Sequence, residues 1–449
     1  MHMLGSAGPD GWMGLDFGTT NSAVALLDPR GDVQLTEFSC LGEQRETFPS
    51  VLYFERSRHR GIEPWSVAGD RAIRSYLEAQ DKGRLIQSLK AFLGDDKWTG
   101  TEVFGRLFTI DELITVFLRH LLSAASKPAG SMPANVIAGR PVHFGGAANG
   151  SGDSVAVARL QAALARCGFE RIIFELEPVA AAYSYTRRVK HDQLIFIGDF
   201  GGGTSDFSVL RVGPAIKGDE GGRHEVLGTG GVALAGDAFD RRIIRNVVAP
   251  RLGLGTDYVS PPKKFLPIPR WPYEHLEQWQ YLSVLDSPRV IGMLERILPT
   301  ALIPERVEAF IHLLRNRLGY QLYEAVRRTK FALSQESEAA FEFDCGPVRI
   351  RHKVLRSAFE KWIEPELSAI TDSIDTVLRT ARVSPRDVEQ VFLTGGSSFV
   401  PAVRRLFIDR FGEDRIAGGD ELTSVAHGLA LRAAEEQGSH AVSPKFERR

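Results

Sequence analysis

The stretch GLDFGTTNSAVALLD, residues 14 to 28, consists of two apolar runs with a polar turn between them. Asp16 lies within the first run, although a charge that is buried without a partner costs several kcal/mol. Gly18 follows it, and the turn continues with three small polar residues, Thr19, Thr20 and Asn21. An apolar run that ends in a carboxylate, a glycine turn and a second apolar run together predict a β-hairpin with a role besides packing.

A second copy of this pattern, GDFGGGTSDFSVLR, occupies residues 198 to 211. Asp199 aligns with Asp16 and Ser205 with Ser22, and each aligned pair is 183 residues apart. The length of 449 residues alone suggests about three domains at roughly 150 residues each. Because the interrupted hairpin recurs almost half a chain length later, the sequence predicts a duplicated, two-lobed molecule instead.

Both turns suit a polyphosphate ligand. Glycine has no Cβ and can adopt positive φ, so the N–H groups of glycine turns can converge on an anion. The glycines concerned are Gly18, Gly201, Gly202 and Gly203. Side-chain donors are added by Thr19, Thr20, Asn21, Thr204 and Ser205. Mg²⁺ near phosphates is typically held by one or two carboxylates, so Asp16 and Asp199 are predicted to hold hydrated Mg²⁺.

The plain alternative for either copy alone is a tight turn with a solvated aspartate, since glycine turns are common. Two copies in register favour the binding interpretation. The P-loop pattern is absent, and GTGGVA at residues 228 to 233 matches the dinucleotide-binding pattern only nominally, because LAGDAFD follows it. We predict that GTGGVA forms a turn.

Composition excludes several classes of protein. The net charge of −1 predicts no electrostatic attraction to nucleic acid or to an anionic membrane. No apolar stretch approaches the ~20 residues of a membrane span, and the N-terminus lacks the features of a secretory signal. Cys40, Cys167 and Cys345 form no CxxC pair, so neither a disulfide framework nor a structural zinc site is expected. A reducing, cytoplasmic location is therefore predicted.

With these hairpins in place, the sequence resembles the actin-like ATPase superfamily, and within it the nucleotide-binding domain of DnaK-type heat-shock chaperones. The two hairpins resemble the two phosphate motifs of that family, and the similarity covers most of residues 12 to 435. The other matching segments are FPSVLYF (48 to 54), SLKAFLGDD (88 to 96), ELEPVAAAYSY (175 to 185), GDAFDRRI (236 to 243) and VFLTGGSSFVPAVRRLF (391 to 407).

The resemblance implies an α/β fold, a duplicated two-lobed actin-like ATPase with a ribonuclease H-like motif in each lobe and a helical insert in lobe two. Lobe one is expected at residues 12–193, with an upper subdomain at about 45–132. Lobe two is expected at 194–436, with the insert subdomain at about 241–339. A polar C-terminal tail, 437–449, would follow. The peptide-binding domain of full-length chaperones would be missing, as in the short YegD-like relatives.

The resemblance also implies ATP or ADP and Mg²⁺ as ligands, held in a central cleft. Lys90 matches the phosphate-directed lysine, although it also fits a solvated surface lysine. Glu177 matches the glutamate that positions the attacking water, and its plain alternative is an interaction with the dipole of the helix it begins. Thr204 would join Lys90 in stabilising the transferring phosphoryl group. Asp206 is a further candidate for the outer shell of the metal.

On the base side, the helix AVRRTKFALSQES (325 to 337) keeps two residues of the family pattern, Lys330 and Ser334. Arg327 stands at the position of an acid and Phe331 at the position of an arginine, which puts recognition of the base by a polar clamp in doubt. Phe331 could instead stack on a purine. The resemblance completes the nucleotide-binding set with Gly236, Gly395, Gly396 and Ser397.

An insert departs from the family pattern. VSPPKKFLPIPRWPY, residues 259 to 273, is rich in proline and predicts an extended, polyproline-like path. Beyond it, apolar residues three or four apart predict one face of a long helix: Val307, Phe310, Ile311, Leu314, Leu318 and Leu322. A packed helical subdomain is the plain interpretation. The alternative is a partner-binding surface within residues 259–298, a segment that includes the aromatic residues Trp271, Tyr273, Trp279 and Tyr281.

The resulting hypothesis is a chaperone-like ATPase that binds Mg-ATP, hydrolyses it slowly and couples nucleotide state to lobe closure. One alternative is a small-molecule kinase of the same superfamily, which would need an aspartate base beside an acceptor pocket. Another is a nucleotide-bound scaffold or filament protein with little turnover. The sequence indicates neither a client nor an oligomeric state.

Overall fold

The computed structural model describes residues 11–28, 32–40, 43–56, 63–79, 83–129, 132–144, 151–186, 189–216, 224–417 and 423–441. Over these ranges the fold is mixed α/β, as predicted. The chain forms two compact units. Unit 1 comprises Met1–Ala233, Ala369–Ser398 and Val403–Arg449, and unit 2 comprises Leu234–Ser368 and Phe399–Ala402. Among the described residues, no helix has both the length and the apolar character needed to cross a membrane.

The strands are β1 (Trp12–Asp16), β2 (Asn21–Leu27), β3 (Val33–Leu35), β4 (Phe38–Cys40), β5 (Glu43–Arg45), β6 (Phe48–Pro49), β7 (Val51–Glu55), β8 (Trp65–Ala68), β9 (Arg84–Gln87), β10 (Gly100–Val103), β11 (Arg106–Thr109), β12 (Asn135–Arg140), β13 (Arg171–Leu176), β14 (Gln193–Phe200), β15 (Ser205–Val212), β16 (His224–Val232), β17 (Asp257–Ser260), β18 (Lys264–Pro267), β19 (Glu338–Cys345), β20 (Val348–Leu355), β21 (Gln390–Thr394) and β22 (Ile416–Ala417).

The α-helices are α1 (Asp70–Glu78), α2 (Ile110–Ala129), α3 (Ser151–Arg166), α4 (Glu177–Thr186), α5 (Gly236–Ile243), α6 (Trp271–Leu276), α7 (Leu282–Leu285), α8 (Pro288–Ile297), α9 (Pro304–Arg315), α10 (Gly319–Gln335), α11 (Arg356–Trp362), α12 (Glu364–Ala381), α13 (Pro401–Phe411) and α14 (Ser424–Ala441). A 3₁₀ turn at Leu89–Phe92 carries the predicted phosphate-directed lysine.

Two sheets of unit 1 have the same topology. The first has the order β13-β12-β1-β2-β3 and the second the order β22-β21-β14-β15-β16. In each, three consecutive antiparallel strands lie beside two parallel ones. The duplication predicted from the sequence is therefore present in the fold, and each copy of the motif forms an antiparallel hairpin.

The registers of the two hairpins also agree. Asp16 pairs with Ala23 across β1 and β2, and Asp199 pairs with Asp206 across β14 and β15. Each pair in the first hairpin maps onto the second with the same offset of 183 residues. Burial of the apolar strand residues stabilises both hairpins. Leu15, for example, is fully buried.

Helices α4 and α14 pack in one hydrophobic core with residues of β1, β12, β14 and β15. Two glycines permit this close packing. A Cβ built on Gly428 would lie 1.7 Å from the carbonyl oxygen of Ala180, and one built on Gly14 would lie 2.6 Å from that of Ala426. A larger residue at either position would push α14 away from α4 or from β1, so the described C-terminal helix completes the core around the first strand.

Three local predictions were wrong, each for a physical reason. The proline-rich stretch 259–273 forms no polyproline-like path, because β17 and β18 pair as a hairpin. Pro261 and Pro262 lie in its turn and Pro267 at a strand end, where a missing N–H is tolerated.

The predicted long helix is divided in two. Helix α9 ends at Arg315, Arg317 adopts a positive φ of 50°, and α10 begins at Gly319. The apolar face is nevertheless buried on both sides of this break, at Phe310 and Leu322 for example. Periodicity of apolar residues continues through such a break, because both helices face the same core.

The stretch GTGGVA is not a turn, since residues 228 to 232 belong to strand β16. Its glycines permit close packing against α12. A Cβ built on Gly230 would lie 2.6 Å from Cγ2 of Val377, and one built on Gly228 would lie 3.0 Å from Cβ of Ala381. A glycine inside a strand commonly marks such an approach.

Candidate active site

The turns of the two duplicated hairpins lie next to each other within unit 1. A Cβ built on Gly203 would lie 3.4 Å from Oγ1 of Thr19, which belongs to the other turn. The first turn is tight, since a Cβ on Gly18 would lie 1.9 Å from the carbonyl oxygen of Asn21. In the second turn, the N–H of Gly201 donates to the carbonyl of Thr204 at 3.0 Å.

The four glycines of the two turns do not use their capacity for positive φ. Gly395 adopts a positive φ of 77°, but Gly18, Gly201, Gly202 and Gly203 do not adopt positive φ. At Gly18 the requirement is space, because any side chain would collide with the backbone of its own turn.

Lys90 and Glu177 form a buried ion pair. The Lys90 Nζ lies 2.5 Å from Oε1 of Glu177, and each side chain is less than a tenth exposed. Glu177 is the first residue of α4 and lies against Gly139, whose missing side chain leaves room for it. Burial lowers the pKa of Lys90, but attraction to Glu177 and Asp16 outweighs this effect, so its pKa lies above the ordinary value.

Three aspartates lie at the ends of the hairpin strands, and all have raised pKa values. Burial and repulsion by Glu177 raise the pKa of Asp16 to about 8, against the opposing effect of Lys90. The same two causes raise the pKa of Asp206 to about 8 and that of Asp199 to about 6. Negative charge is therefore concentrated here, and a cation would stabilise the ionised forms.

Hydrogen bonds fix two of these carboxylates. Thr394 donates from Oγ1 to Oδ1 of Asp199 at 2.6 Å, which lowers the pKa of Asp199 against the effect of burial. The backbone N–H of Val142 donates to Oδ1 of Asp206 at 2.8 Å. Gly231 lies against Asp206, since a Cβ built on it would be 2.6 Å from the same oxygen.

The donor set fits a hydrated Mg²⁺. Within the described ranges, no three histidine, cysteine or acidic side chains are grouped closely enough to ligate a metal directly. Mg²⁺ usually keeps several waters and contacts only one or two carboxylates, so such a group is not required. Asp16 and Asp199 would hold the ion, with Asp206 bonded to its waters.

The glycine pair after β21 adjoins the second hairpin. A Cβ on Gly395 would lie 2.0 Å from the carbonyl oxygen of Phe200, and Ser397 donates to the carbonyl of Gly201 at 3.5 Å. No heavy atom would lie within 4 Å of a Cβ on Gly396, so the backbone is open on that side. The structure thus brings the predicted residues 395 to 397 together with the turn of the second hairpin.

The predicted base-side residues lie in unit 2. Lys330 on α10 donates to the carbonyl of Gly236 at 3.0 Å and pairs with Asp240 at 2.8 Å. Ser334 donates to the carbonyl of Lys330 at 3.2 Å. Phe331 is 63% exposed, so it does not belong to the core.

Arg327, which replaces an acid of the family pattern, is engaged elsewhere in unit 2. It pairs with Glu324 at 3.0 Å, and its guanidinium lies 4.3 Å from the ring centroid of Trp279. Lys330 and Ser334 also bond within the unit. The exposed ring of Phe331 is therefore the feature of this helix face best suited to a planar ligand.

Sequence reasoning missed Thr394, Gly139 and the N–H of Val142. A signal existed for Thr394, because it ends a predicted strand immediately before the Gly395–Gly396 pair, and the ends of parallel strands meet at one edge of a sheet. Thr394 is indeed the register partner of Asp199. No local signal identifies Gly139, since its role depends on the position of Glu177.

A comparison with protein families agrees with this geometry. The family model described as Hsp70 protein matches residues 12–251 and 310–445. The chain belongs to the Hsp70 family. The model leaves out residues 252–309, which contain the β17–β18 hairpin and helices α6 to α8. The proline-rich stretch 259–273 lies in this unmatched range, whereas the insert subdomain predicted at about 241–339 extends beyond it on both sides.

Among curated relatives of this Hsp70-family chain, the chaperone protein DnaK of Thermus thermophilus is 25% identical over 436 residues. DnaK of Thermosipho africanus is 23% identical over 429 residues. The chloroplastic stromal 70 kDa heat shock-related protein of Pisum sativum is 25% identical over 454 residues. Each match covers 94% of this chain but only 60%, 58% and 52% of the respective relative, so the chain spans little more than half the length of these proteins.

Proposed function

We propose that this chain binds Mg-ATP and hydrolyses it slowly, as a chaperone-type ATPase. The observation that supports this most directly is the buried Lys90–Glu177 pair, electrostatically linked to Asp16 and Asp199 at the ends of two facing hairpins. Family membership adds independent support, since relatives carry the name chaperone protein DnaK. Lobe closure that depends on the nucleotide, and a cytoplasmic location, belong to the same proposal.

Each residue has a role that its environment supports. Glu177 would orient the attacking water, because its carboxylate is held by Lys90 and by the start of α4. Lys90 and Thr204 would donate to the phosphoryl oxygens on which charge accumulates. Mg²⁺ would neutralise phosphate charge and lower the repulsion among the buried aspartates.

The turn glycines would contribute backbone donors to the phosphates. Gly203 adjoins Thr19, so donors of both turns are available to one ligand. The hydroxyl groups of Thr19, Thr20 and Thr204 and the amide of Asn21 would add to them. A phosphate bound between two such turns explains why both turns are short and free of bulky side chains.

The test separates turnover from binding. Lys90→Ala and Glu177→Ala should lower the single-turnover rate of ATP hydrolysis by about a hundredfold or more, while ADP affinity changes little. Matched controls are Lys97→Ala and Glu170→Ala, because both side chains are exposed. Rates equal to wild type in both test variants would remove these residues from the mechanism. An absence of ATP binding in the wild-type chain would overturn the proposal itself.

Fewer residues of the proposed partner surface within 259–298 are accessible than the sequence suggested. Tyr273 and Trp279 are buried in unit 2 and cannot contact a partner. Trp271 is 37% exposed and Tyr281 is partly buried, while Phe265, a further aromatic residue of this segment, is 62% exposed. A partner-binding role for this segment therefore depends on the β17–β18 hairpin and the start of α6.

A further inference from the structure

The segment that presents Lys90 is held from outside by one arginine. We call residues 88–98 the lysine loop. It begins at Ser88, whose φ is 55°, and continues through the 3₁₀ turn Leu89–Phe92. The hydrogen bonds within the loop are all local, such as that from the N–H of Ala91 to the carbonyl of Ser88, so they do not fix its position against the rest of the chain.

Arg159 on α3 holds the loop in place. Its Nη1 shares its two hydrogens among three carbonyl oxygens of the loop, those of Phe92 at 3.2 Å, Leu93 at 2.9 Å and Asp95 at 2.9 Å. Its Nη2 lies 3.4 Å from the carbonyl oxygen of Trp98. Four carbonyls that converge on one point present concentrated negative partial charge, which suits a cationic side chain with several donors.

The loop transmits this restraint to the ion pair. Leu93, bound by Arg159 through its carbonyl, donates its own N–H to the carbonyl of Lys90 at 3.2 Å. The Nζ of Lys90 in turn lies 2.5 Å from Glu177. The rings of Phe92 and Trp98 stack with centroids 4.2 Å apart, which joins the two ends of the bound segment.

We infer that Arg159 is a positioning residue for phosphoryl transfer, acting through the lysine loop on Lys90. All four of its hydrogen-bond acceptors are backbone carbonyls of the loop, so its task is to set the loop's shape. The planar, five-donor guanidinium is essential to this task, because an ammonium group cannot reach the same spread of acceptors. The inference rests on the proposed function, since it requires Lys90 to act in turnover.

The experiment is a double-mutant cycle between Arg159→Met and Lys90→Ala in the full chain. Arg159→Met should lower the single-turnover hydrolysis rate about tenfold or more, because small displacements of catalytic groups are costly. ADP affinity should stay within about twofold of wild type. In the Lys90→Ala background the same substitution should have almost no further effect on the rate. Arg166→Met on the same helix is the control, since Arg166 pairs with Asp111.

The outcomes are distinct. An equal loss of rate in both backgrounds would show a general structural role and overturn the inference, as would a wild-type rate for Arg159→Met. If Lys90→Ala itself hydrolyses ATP normally, the proposed function fails first. Should Arg159→Met not fold, Arg159→Lys is measured in the same cycle, together with hydrogen exchange of amides 90–98. Faster exchange and a reduced rate that depends on Lys90 support the inference, and unchanged exchange contradicts it.

Discussion

The two duplicated hairpins have the same strand order and register, yet the surroundings of their aspartates differ. Asp16 faces Ala23 across the hairpin, whereas Asp199 faces a second carboxylate, Asp206. On the parallel side, Asp199 is the register partner of Thr394, which donates to it. The first sheet has Gly139 just beyond the last paired residue of β12, and Glu177 fills the space beside it.

This difference separates what the topology fixes from what the side chains fix. Topology places a carboxylate at the end of the central strand in both sheets. Burial is the main cause that raises both pKa values, to about 8 for Asp16 and to about 6 for Asp199, and at Asp199 the hydrogen bond from Thr394 opposes the rise. One sheet thereby accommodates the glutamate of the ion pair, while the other stabilises an ionised carboxylate through a hydroxyl group.

The largest expected effect comes from the turn glycines, which the two hairpins use differently. Gly18→Ala should lower the free energy of unfolding by about 3 kcal/mol, at the upper end of overpacking costs, because its Cβ would meet a backbone oxygen at 1.9 Å. Gly201→Ala is the matched control in the other turn, where the nearest atom would lie at 3.5 Å. Chemical denaturation of both variants measures the difference, and equal losses would contradict the comparison.

The second prediction concerns charge and pH. The folded chain binds a proton at Asp16 more tightly than the unfolded chain does, since the pKa is about 8 rather than 3.8. Stability from this group is therefore greatest below about pH 4 and is lost as the pH rises towards 8. Without ligand, Asp16→Asn should gain thermal stability relative to wild type across this window, with the largest gain above pH 8.

Asp199→Asn is the companion variant, with an expected window that ends near pH 6 because its pKa is raised less. In both variants, the Mg²⁺ concentration needed for half-maximal ADP binding should rise about tenfold. Saturating Mg²⁺ should also strengthen ADP binding less than it does in wild type, so binding depends less on Mg²⁺. Differential scanning fluorimetry from pH 5 to pH 9 tests the first part and calorimetry tests the second. A gap in Tm that stays constant with pH would mean that neither charge is destabilising.

The third prediction concerns Phe331 of unit 2, which belongs to neither hairpin and should act independently of the carboxylates. Phe331→Ala should weaken ADP binding about fivefold at every Mg²⁺ concentration, the lower end of stacking contributions, because the exposed ring would lose contact with a purine. Discrimination between ADP and GDP should be modest, since stacking reads any purine face. Phe265→Ala, which removes another exposed ring of unit 2, is the control. Unchanged ADP affinity would remove Phe331 from the site.

The smallest effect is expected from Thr394→Val, which keeps the shape of the side chain but removes the donor to Asp199. The Mg²⁺ requirement for ADP binding should rise about threefold, since the hydroxyl stabilises the ionised carboxylate by a fraction of a typical hydrogen bond. Thr394→Ser retains the hydroxyl and should restore the wild-type requirement. Equal behaviour of the valine and serine variants would assign Thr394 to packing alone.

The sequence predicted the features that depend on local patterns. Both hairpins and the duplication follow from apolar runs and glycine turns, the α/β class follows from the family resemblance, and the structure confirms all three. Lys90 was indicated only by the segment that matches the family. Its ion pair with Glu177, 87 residues away in the chain, is seen in the structure.

The features that were missed depend on distant partners. Gly139 is important because Glu177 fills the adjacent space, and Thr394 because β21 lies parallel to β14. The glycines of β16 resembled a turn because the helix that they pack against, α12, is about 150 residues away in the sequence. Proline content suggested an extended path at residues 259–273, while the hairpin placed those prolines where no ladder hydrogen bond is needed.

Helix α14 determines when during synthesis the first sheet can finish folding. It packs against β1 through Gly14 and against α4 through Gly428, so residues from the two ends of the described chain share one core. During translation, β1 and β2 leave the ribosome some 400 residues before this helix, and one apolar face of the sheet lacks its native cover until then. A nascent chain of this protein therefore presents a long-lived hydrophobic surface, which makes it a candidate client for chaperones while it is being made.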